Sequence, residues 1–348
     1  MMLVGSISLR ASMSELVEAI VFIVCADFIH KNAEYFQGSN SNFMLSYKYH
    51  LKRSPMRFGL NTFLTSSGFT DADLPLIAEF KSYGADVIEL AVVDPASITV
   101  SKLVEALNAS DMKRPIVCGA MIPGRDLRGN EQEQADCVTY ISELIEMAGE
   151  IGSTVVCGPF YSTTGRANSH TAEEREAQLC VIAGHLKSLS KQAQATGVTL
   201  AIEPLNRFET DCVNTLSQAV DLIERVGCSA LKIHIDTFHM NIEEDDSAAA
   251  ILAAASHIGH VHASASHRGL LGQDQVAWDE VLGALQTIGY DGDIVIESFS
   301  ADNEALARAT SIWRSLYESP QQLSVEGLVF LKQTWKSIES QRCAINRL

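Results

Sequence analysis

Four short apolar runs in the second half of the chain each lead into a side chain with no apolar reason to be there. "VTLAIEP" reaches Glu203, "LKIHIDT" Asp236, "IGHVHAS" His262 and "DIVIESF" Glu297. Three carboxylates and an imidazole, with no thiolate among them, suit a hard or borderline divalent ion such as Mn²⁺, Mg²⁺ or Co²⁺. Gathered without a cation, three carboxylates would repel one another and raise their own pKa values. A bound metal removes that conflict. A single strand-end Asp or His is ordinarily a turn or cap residue, but four on consecutive runs argue for a shared task.

Side chains two apart share a strand face, so His234 stands behind Asp236 and His260 behind His262. One pleat deeper, these two read as core histidines in a hydrogen-bonded polar layer. His239 is expected beyond Asp236 on the loop, within reach of a substrate or of groups around the metal. The acids Glu243, Glu244, Asp245 and Asp246 precede "SAAAILAAAS", where negative charge suits a helix start and the bland reading is a solvated one.

For the four ends to meet, their strands must be parallel neighbours roughly 5 Å apart. From Met56 onward the chain supplies such a frame. Eight β-branched runs recur, at 57–63, 86–92, 115–121, 153–159, 198–204, 231–237, 258–264 and 293–299. Between them lie stretches such as "TLSQAVDLIERVG", apolar at i, i+3, i+4 and i+7 and closed by Gly at the C′ place. Strand and helix alternating to eight strands predict an α/β fold, a closed (β/α)₈ (TIM) barrel with chemistry at the C-terminal strand ends. A doubly wound open sheet is the runner-up, but "GLNTFLTSSG" lacks its dinucleotide fingerprint. The barrel is expected over 56–340. Residues 1–55 stand outside the repeat, as an extension, an unordered tail or an upstream translated stretch, and no function is assigned to them.

The 348 residues are 47% apolar and 20% charged, as in ordinary globular proteins, and carry a formal charge of −17. That charge argues against a nucleic-acid partner, which would want clustered Lys and Arg. Eight cysteines form no C-x-x-C and several sit in apolar runs, which suggests buried free thiols in a reducing, cytoplasmic setting. "LVEAIVFIVCADFI" is interrupted by Glu18 and Asp27 and is too short to span a bilayer, so no membrane association is expected.

With these residues in view, the chain resembles the D-tagatose 3-epimerase family of ketose 3-epimerases, also called D-psicose or D-allulose 3-epimerases. The resemblance rests on "IEPLNRFET" (202–210), "IHIDTFHMNIEE" (233–244), "GHVHASASHRG" (259–269) and "IVIESF" (294–299), and covers roughly Met56 to Trp335. It implies a (β/α)₈ barrel and one divalent metal ion per subunit, Mn²⁺ first, on Glu203, Asp236, His262 and Glu297. It implies substrate contacts at Glu209, His239 and Arg268, and a homodimer or homotetramer. It further implies that Glu203 and Glu297 are an acid/base pair acting from opposite faces of C3 of a free ketose. The chemistry is coherent: a cation at O2 and O3 stabilises the charge of an enediolate, while one carboxylate takes the proton and the other returns one.

Two departures stand out. Where members often carry a Glu-Asn pair before the Arg matched by Arg268, this chain has Ala265 and Ser266, which bears on loop order and substrate preference. The loop "NTFLTSSGFT" also lacks an aromatic cluster found in some members. Rival readings are an aldose–ketose isomerase or an inosose dehydratase on the same barrel, and a sugar-binding barrel without turnover. A metal-dependent apurinic-site endonuclease would need further ligands, for which Glu89 in "VIEL" is the obvious candidate in the first half, and a basic face.

Overall fold

The computed structural model describes residues 55–300 and 304–345, so the expected extension over 1–55 lies, but for Pro55, outside the described residues. The barrel unit begins at Met56. Its strands are β1 (Arg57–Asn61), β2 (Val87–Val92), β3 (Ile116–Gly119), β4 (Val155–Gly158), β5 (Thr199–Ile202), β6 (Leu231–Asp236), β7 (Ile258–Ala263) and β8 (Asp293–Ile296). All pair in parallel and in sequence order, and β8 pairs with β1 to close the ring. Arg57 and Asp293 bridge that seam at 2.5 Å.

Outside run α1 (Pro75–Ser82), α2 (Val100–Ala109), α3 (Glu131–Ile151), α4 (Ala172–Thr196) and α5 (Leu216–Val226). After β6 come the short α6 (Thr237–Glu243) and α7 (Ser247–Ala254), then α8 (Trp278–Ile288), α9 (Glu304–Ala309) and α10 (Pro320–Ile345). The sequence dictates the helix limits. Asn130 with Glu133, and Thr171 with Glu174, form capping boxes that satisfy the first free N–H groups of α3 and α4. Gly197 and Gly227 end α4 and α5 in left-handed conformations that a side chain would disfavour.

The main core lies between barrel and helices, where Leu60, Ile88, Leu200 and Ile233 meet residues such as Ile141, Leu186 and Leu222. Each such side chain contributes roughly 1.5–3 kcal/mol of hydrophobic stabilisation. Val87, Ile116, Cys118, Cys157, Ala201 and Val295 form a separate small apolar cluster. A register shift at Ile233/His234 sets His234 against His260 and Asp236 against His262. That irregularity stacks the polar groups of β6 and β7 in two levels. Among the described residues no helix is long and apolar enough to cross a membrane.

Two acids depart from the expected solvated helix start. Glu243 accepts the Arg207 N–H and pairs with its guanidinium at 3.0 Å, and Glu244 accepts the Leu216 N–H at 2.7 Å. They bind the β5 loop to α6 and cap α5. Asp246 does cap its helix, accepting from Ala249.

Candidate active site

Each of the four polar strand ends is held at its place by backbone geometry. Glu203 follows the last residue of β5, its N–H donating to Gly158 O at 3.1 Å and its carbonyl accepting from Tyr161 Oη at 2.7 Å. Asp236 ends β6 and caps α6, accepting from Phe238 N at 2.7 Å. His262 is the penultimate residue of β7, and Glu297 follows β8. One ligand atom from each of the four lies within 4.8 Å of every other, and all four residues are buried.

Behind His262 stands Glu89 of β2, fully buried. Its Oε1 lies 2.6 Å from His262 Nε2 and 2.5 Å from Asn61 Nδ2, and its Oε2 lies 2.6 Å from His260 Nε2. A carboxylate there accepts, so His262 donates from Nε2 and keeps the lone pair of its neutral form on Nδ1. That Nδ1 has no hydrogen-bond partner and faces Glu297 Oε2 at 3.4 Å and Asp236 Oδ2 at 4.0 Å. A buried, unpartnered nitrogen among three carboxylates fits a divalent cation, held by Glu203, Asp236, His262 and Glu297.

The electrostatics ask for the same positive charge. Burial, and next the Glu297 carboxylate, push Glu203 well above the usual carboxylate range. Burial works against a charged His262, but Glu89 and Glu297 outweigh it and hold the imidazole well above its ordinary value. Asp236 is also pushed up by burial, yet the neighbouring Arg268, His239 and His262 hold it down at about 2.

Arg268 sits over this cluster. Its Nη1 lies 2.8 Å from both Asp236 Oδ2 and Glu297 Oε2 and 2.7 Å from Ser264 Oγ. The guanidinium packs over the rings of Phe238 at 4.2 Å and Phe299 at 5.0 Å. Its backbone has φ +61°, uncommon for a residue with a side chain. Arg268 N donates to Ala265 O, and Ser298 Oγ donates to Arg268 O at 2.5 Å, which hold it there. The loop is ordered without a Glu-Asn pair. Asp274 accepts from the N–H groups of Gly272 and Val276 and from Trp278 Nε1, while Ser266 Oγ accepts from Gln275 N.

His239 lies on α6 rather than in a loop, and is buried. Its Nδ1 accepts the Asn206 N–H at 3.0 Å, so its neutral form carries the proton on Nε2, which lies 3.8 Å from Glu203 Oε1. Glu209 is half-buried and accepts from Asn206 Nδ2 at 2.8 Å. Glu203, Glu209, His239, Arg268 and Glu297 all line one cavity of about 270 Å³. Its remaining wall is largely apolar and includes Phe63, Val93, Met121, Ile122 and Leu306. Phe63 packs on Phe299 at 5.7 Å, so the β1 loop does contribute one aromatic.

Of the two deeper histidines, His260 is hydrogen bonded as a polar layer requires. His234 is not: neither of its nitrogens has a partner. Glu89, Asn61, Asn206, Ser264 and Asp274 were missed as supporting residues. Only Glu89 gave a signal, as one carboxylate in an otherwise apolar β2 whose every residue is buried.

Comparison with known proteins places this geometry. The xylose isomerase-like TIM barrel family matches residues 77–332. A probable ketose 3-epimerase from Synechocystis sp. is 30% identical over 288 residues, covering 81% of this chain and 98% of its own. An L-ribulose 3-epimerase from Mesorhizobium japonicum is 31% identical over 279 residues, covering 79% and 93%. A D-allulose 3-epimerase from Methylomonas sp., solved in complex with D-allulose, superposes with a TM-score of 0.75 at 27% identity, covering 80% of this chain and 97% of its own.

Proposed function

Because the chain belongs to the xylose isomerase-like TIM barrel family and, within it, to the ketose 3-epimerases, we propose that it epimerises free ketoses at C3 through the residues gathered in this cavity. The substrate class is that of D-tagatose, D-fructose, D-allulose and L-ribulose. The observation that carries the reading is the meeting of Glu203 and Glu297, which line the cavity, with the buried Asp236 and His262 beside them.

In this mechanism Glu203 and Glu297 face the reacting carbon from two sides. One, as carboxylate, accepts the C3 proton, and the electron pair of the broken C–H bond moves into an enediolate. The other, as carboxylic acid, donates a proton to the opposite face, so C3 inverts while the sugar stays in place. Burial, and next the Glu297 carboxylate, raise the Glu203 carboxyl, the direction in which a proton-holding partner must move. His239 Nε2–H and the Arg268 guanidinium are donors for O1 and O2, where negative charge grows. Glu209 orients a hydroxyl, itself held by Asn206. A divalent ion on Glu203, Asp236, His262 and Glu297, proposed as Mn²⁺ with Mg²⁺ or Co²⁺ as alternatives, supplies Lewis-acid stabilisation of that charge when bound. The catalytic domain is taken as 56–340, acting as a homodimer or homotetramer in the cytoplasm.

The test is proton NMR in D₂O on the four ketoses, with metal-reloaded and chelated protein. Metal-dependent deuterium entry at C3, with the C3 epimer accumulating, is expected. Exchange at C1 with aldose formation would replace this reading with a 1,2-isomerase. Absence of exchange on every ketose would abandon both.

A further inference from the structure

Glu89 prepares two imidazoles in the same way, and the carboxylate site uses only one. Its Oε1 accepts from His262 Nε2 and its Oε2 from His260 Nε2, each at 2.6 Å. Both neutral rings therefore keep a lone pair on Nδ1, as ligating histidines held by a carboxylate do. His262 turns its Nδ1 toward Asp236 and Glu297. His260 Nδ1 is buried with no partner at all.

Beside it stands His234, fully buried, with both ring nitrogens unpartnered. A neutral imidazole always carries one donor and one acceptor, and leaving either unmet in the interior costs stability. The His234 ring centre lies 4.9 Å from that of His260 and 4.0 Å from that of His262. Its Nδ1 is 3.7 Å from Glu203 Oε2, and its Nε2 has no hydrogen-bond partner. Cys157 of β4 adds sulfur to this group: one ligand atom each from Cys157, His234, His260 and His262 lies within 4.8 Å of the others, and the thiol donates to Glu89 Oε2 at 3.7 Å.

We propose that Cys157, His234 and His260 form a second metal site, deeper in the barrel than the carboxylate cluster, which takes a thiolate- and imidazole-preferring divalent ion, Zn²⁺ first. The donor chemistry separates the two sites. Three carboxylates and one imidazole suit Mn²⁺ or Mg²⁺, whereas sulfur with two imidazoles selects zinc. Charge closes as well. As the zinc–sulfur bond forms, the Cys157 S–H bond breaks and its proton leaves to solvent, and the thiolate together with Glu89 balances the two positive charges. His262 belongs to both groups and couples them. Since Cys157, His234 and His260 are wholly buried, the ion enters during folding and leaves slowly. The proposal stands apart from the reaction assigned above.

The experiment uses full-length protein expressed with Zn²⁺ and Mn²⁺ and then dialysed against EDTA. Elemental analysis is expected to retain one zinc per chain after the carboxylate-site ion has been removed. Zinc-edge X-ray absorption should show one sulfur in its coordination shell. Cys157→Ala should lose that sulfur and the retained zinc, while Cys118→Ala, which alters the neighbouring thiol, should keep both. A wild-type protein that holds no zinc after dialysis, or holds it among oxygen and nitrogen atoms alone, overturns the site. So does loss of the sulfur in Cys118→Ala with Cys157→Ala unchanged. The wild-type spectrum decides the matter even if Cys157→Ala fails to fold.

Discussion

Arg268 Nη1 stands 2.8 Å from Asp236 Oδ2, inside the group of carboxylates that suits a divalent cation. The protein thus carries its own positive charge against those acids. Arg268→Gln should leave them without a counter-charge when metal is absent, and breaking a buried pair of this kind costs about 3–5 kcal/mol. The chelated variant should therefore melt on the order of 5–10 °C below chelated wild type, with the gap narrowing once Mn²⁺ is added. Equal melting temperatures in the chelated proteins would refute the counter-charge role.

Glu203→Gln and Glu297→Gln each remove one of the two proposed proton carriers. Loss of kcat by about a hundred- to ten-thousand-fold is expected for either, since each face of C3 would lack its acid or base. Titration of Mn²⁺ alongside turnover separates lost chemistry from lost metal. Near-normal turnover in either variant at saturating Mn²⁺ would exclude that residue from the proton transfer.

Glu89→Gln keeps shape but removes the charge that fixes His262 and His260. Mn²⁺ affinity should fall by about 10–100-fold, the usual cost of losing such support, with KM for the ketose little changed at saturating metal. Calorimetric titration of the metal-stripped protein reads this directly. Unchanged affinity would mean that His262 is held without Glu89.

His239→Gln should raise KM and lower kcat/KM by about tenfold or more, because the Nε2–H donor facing the cavity is displaced. Metal binding should persist. A variant with normal kinetics on all four ketoses would remove His239 from the substrate contacts.

Away from the site, Asp71 accepts from Thr99 N and Oγ1 and from Lys102 Nζ, which ties the β1 loop to the start of α2. The Lys102 hydrogen bond first, then those from Thr99, lower its pKa to about 2. A carboxyl with a depressed folded pKa contributes stability above its unfolded value and loses it as pH falls toward the folded one. The melting deficit of Asp71→Asn should therefore be full at neutral pH and vanish between about pH 4 and pH 2. A deficit that persists at pH 2 would point to packing instead of charge.

The barrel was legible because short apolar runs recur eight times with amphipathic stretches between them, several closed by glycine, and because a polar group at the end of an apolar strand is conspicuous. Asp236 and His262 could be paired by reading adjacent runs. Glu89 could not be assigned its role, since its partner His260 lies 171 residues away and the text gives no register between β2 and β7. Glu243 and Glu244 misled for the opposite reason: the local rule of helix starts that holds for Asp246 explains them too, while they serve the β5 loop and α5. Ala265 and Ser266 showed what the β7 loop lacks, but not that Asp274 ties it.

The cavity wall divides by origin. The groups suited to handle the first three carbons of a sugar come from β5 to β8 and the residues just after them, while the largely apolar far wall comes from the loops after β1, β2 and β3 and from α9. On the proposed reading, reaction and preference fall on separate parts of one scaffold. Natural drift or laboratory selection can redraw the far wall, at Val93, Ile122 or Leu306, and retarget the barrel to another sugar without disturbing the machinery that moves the proton.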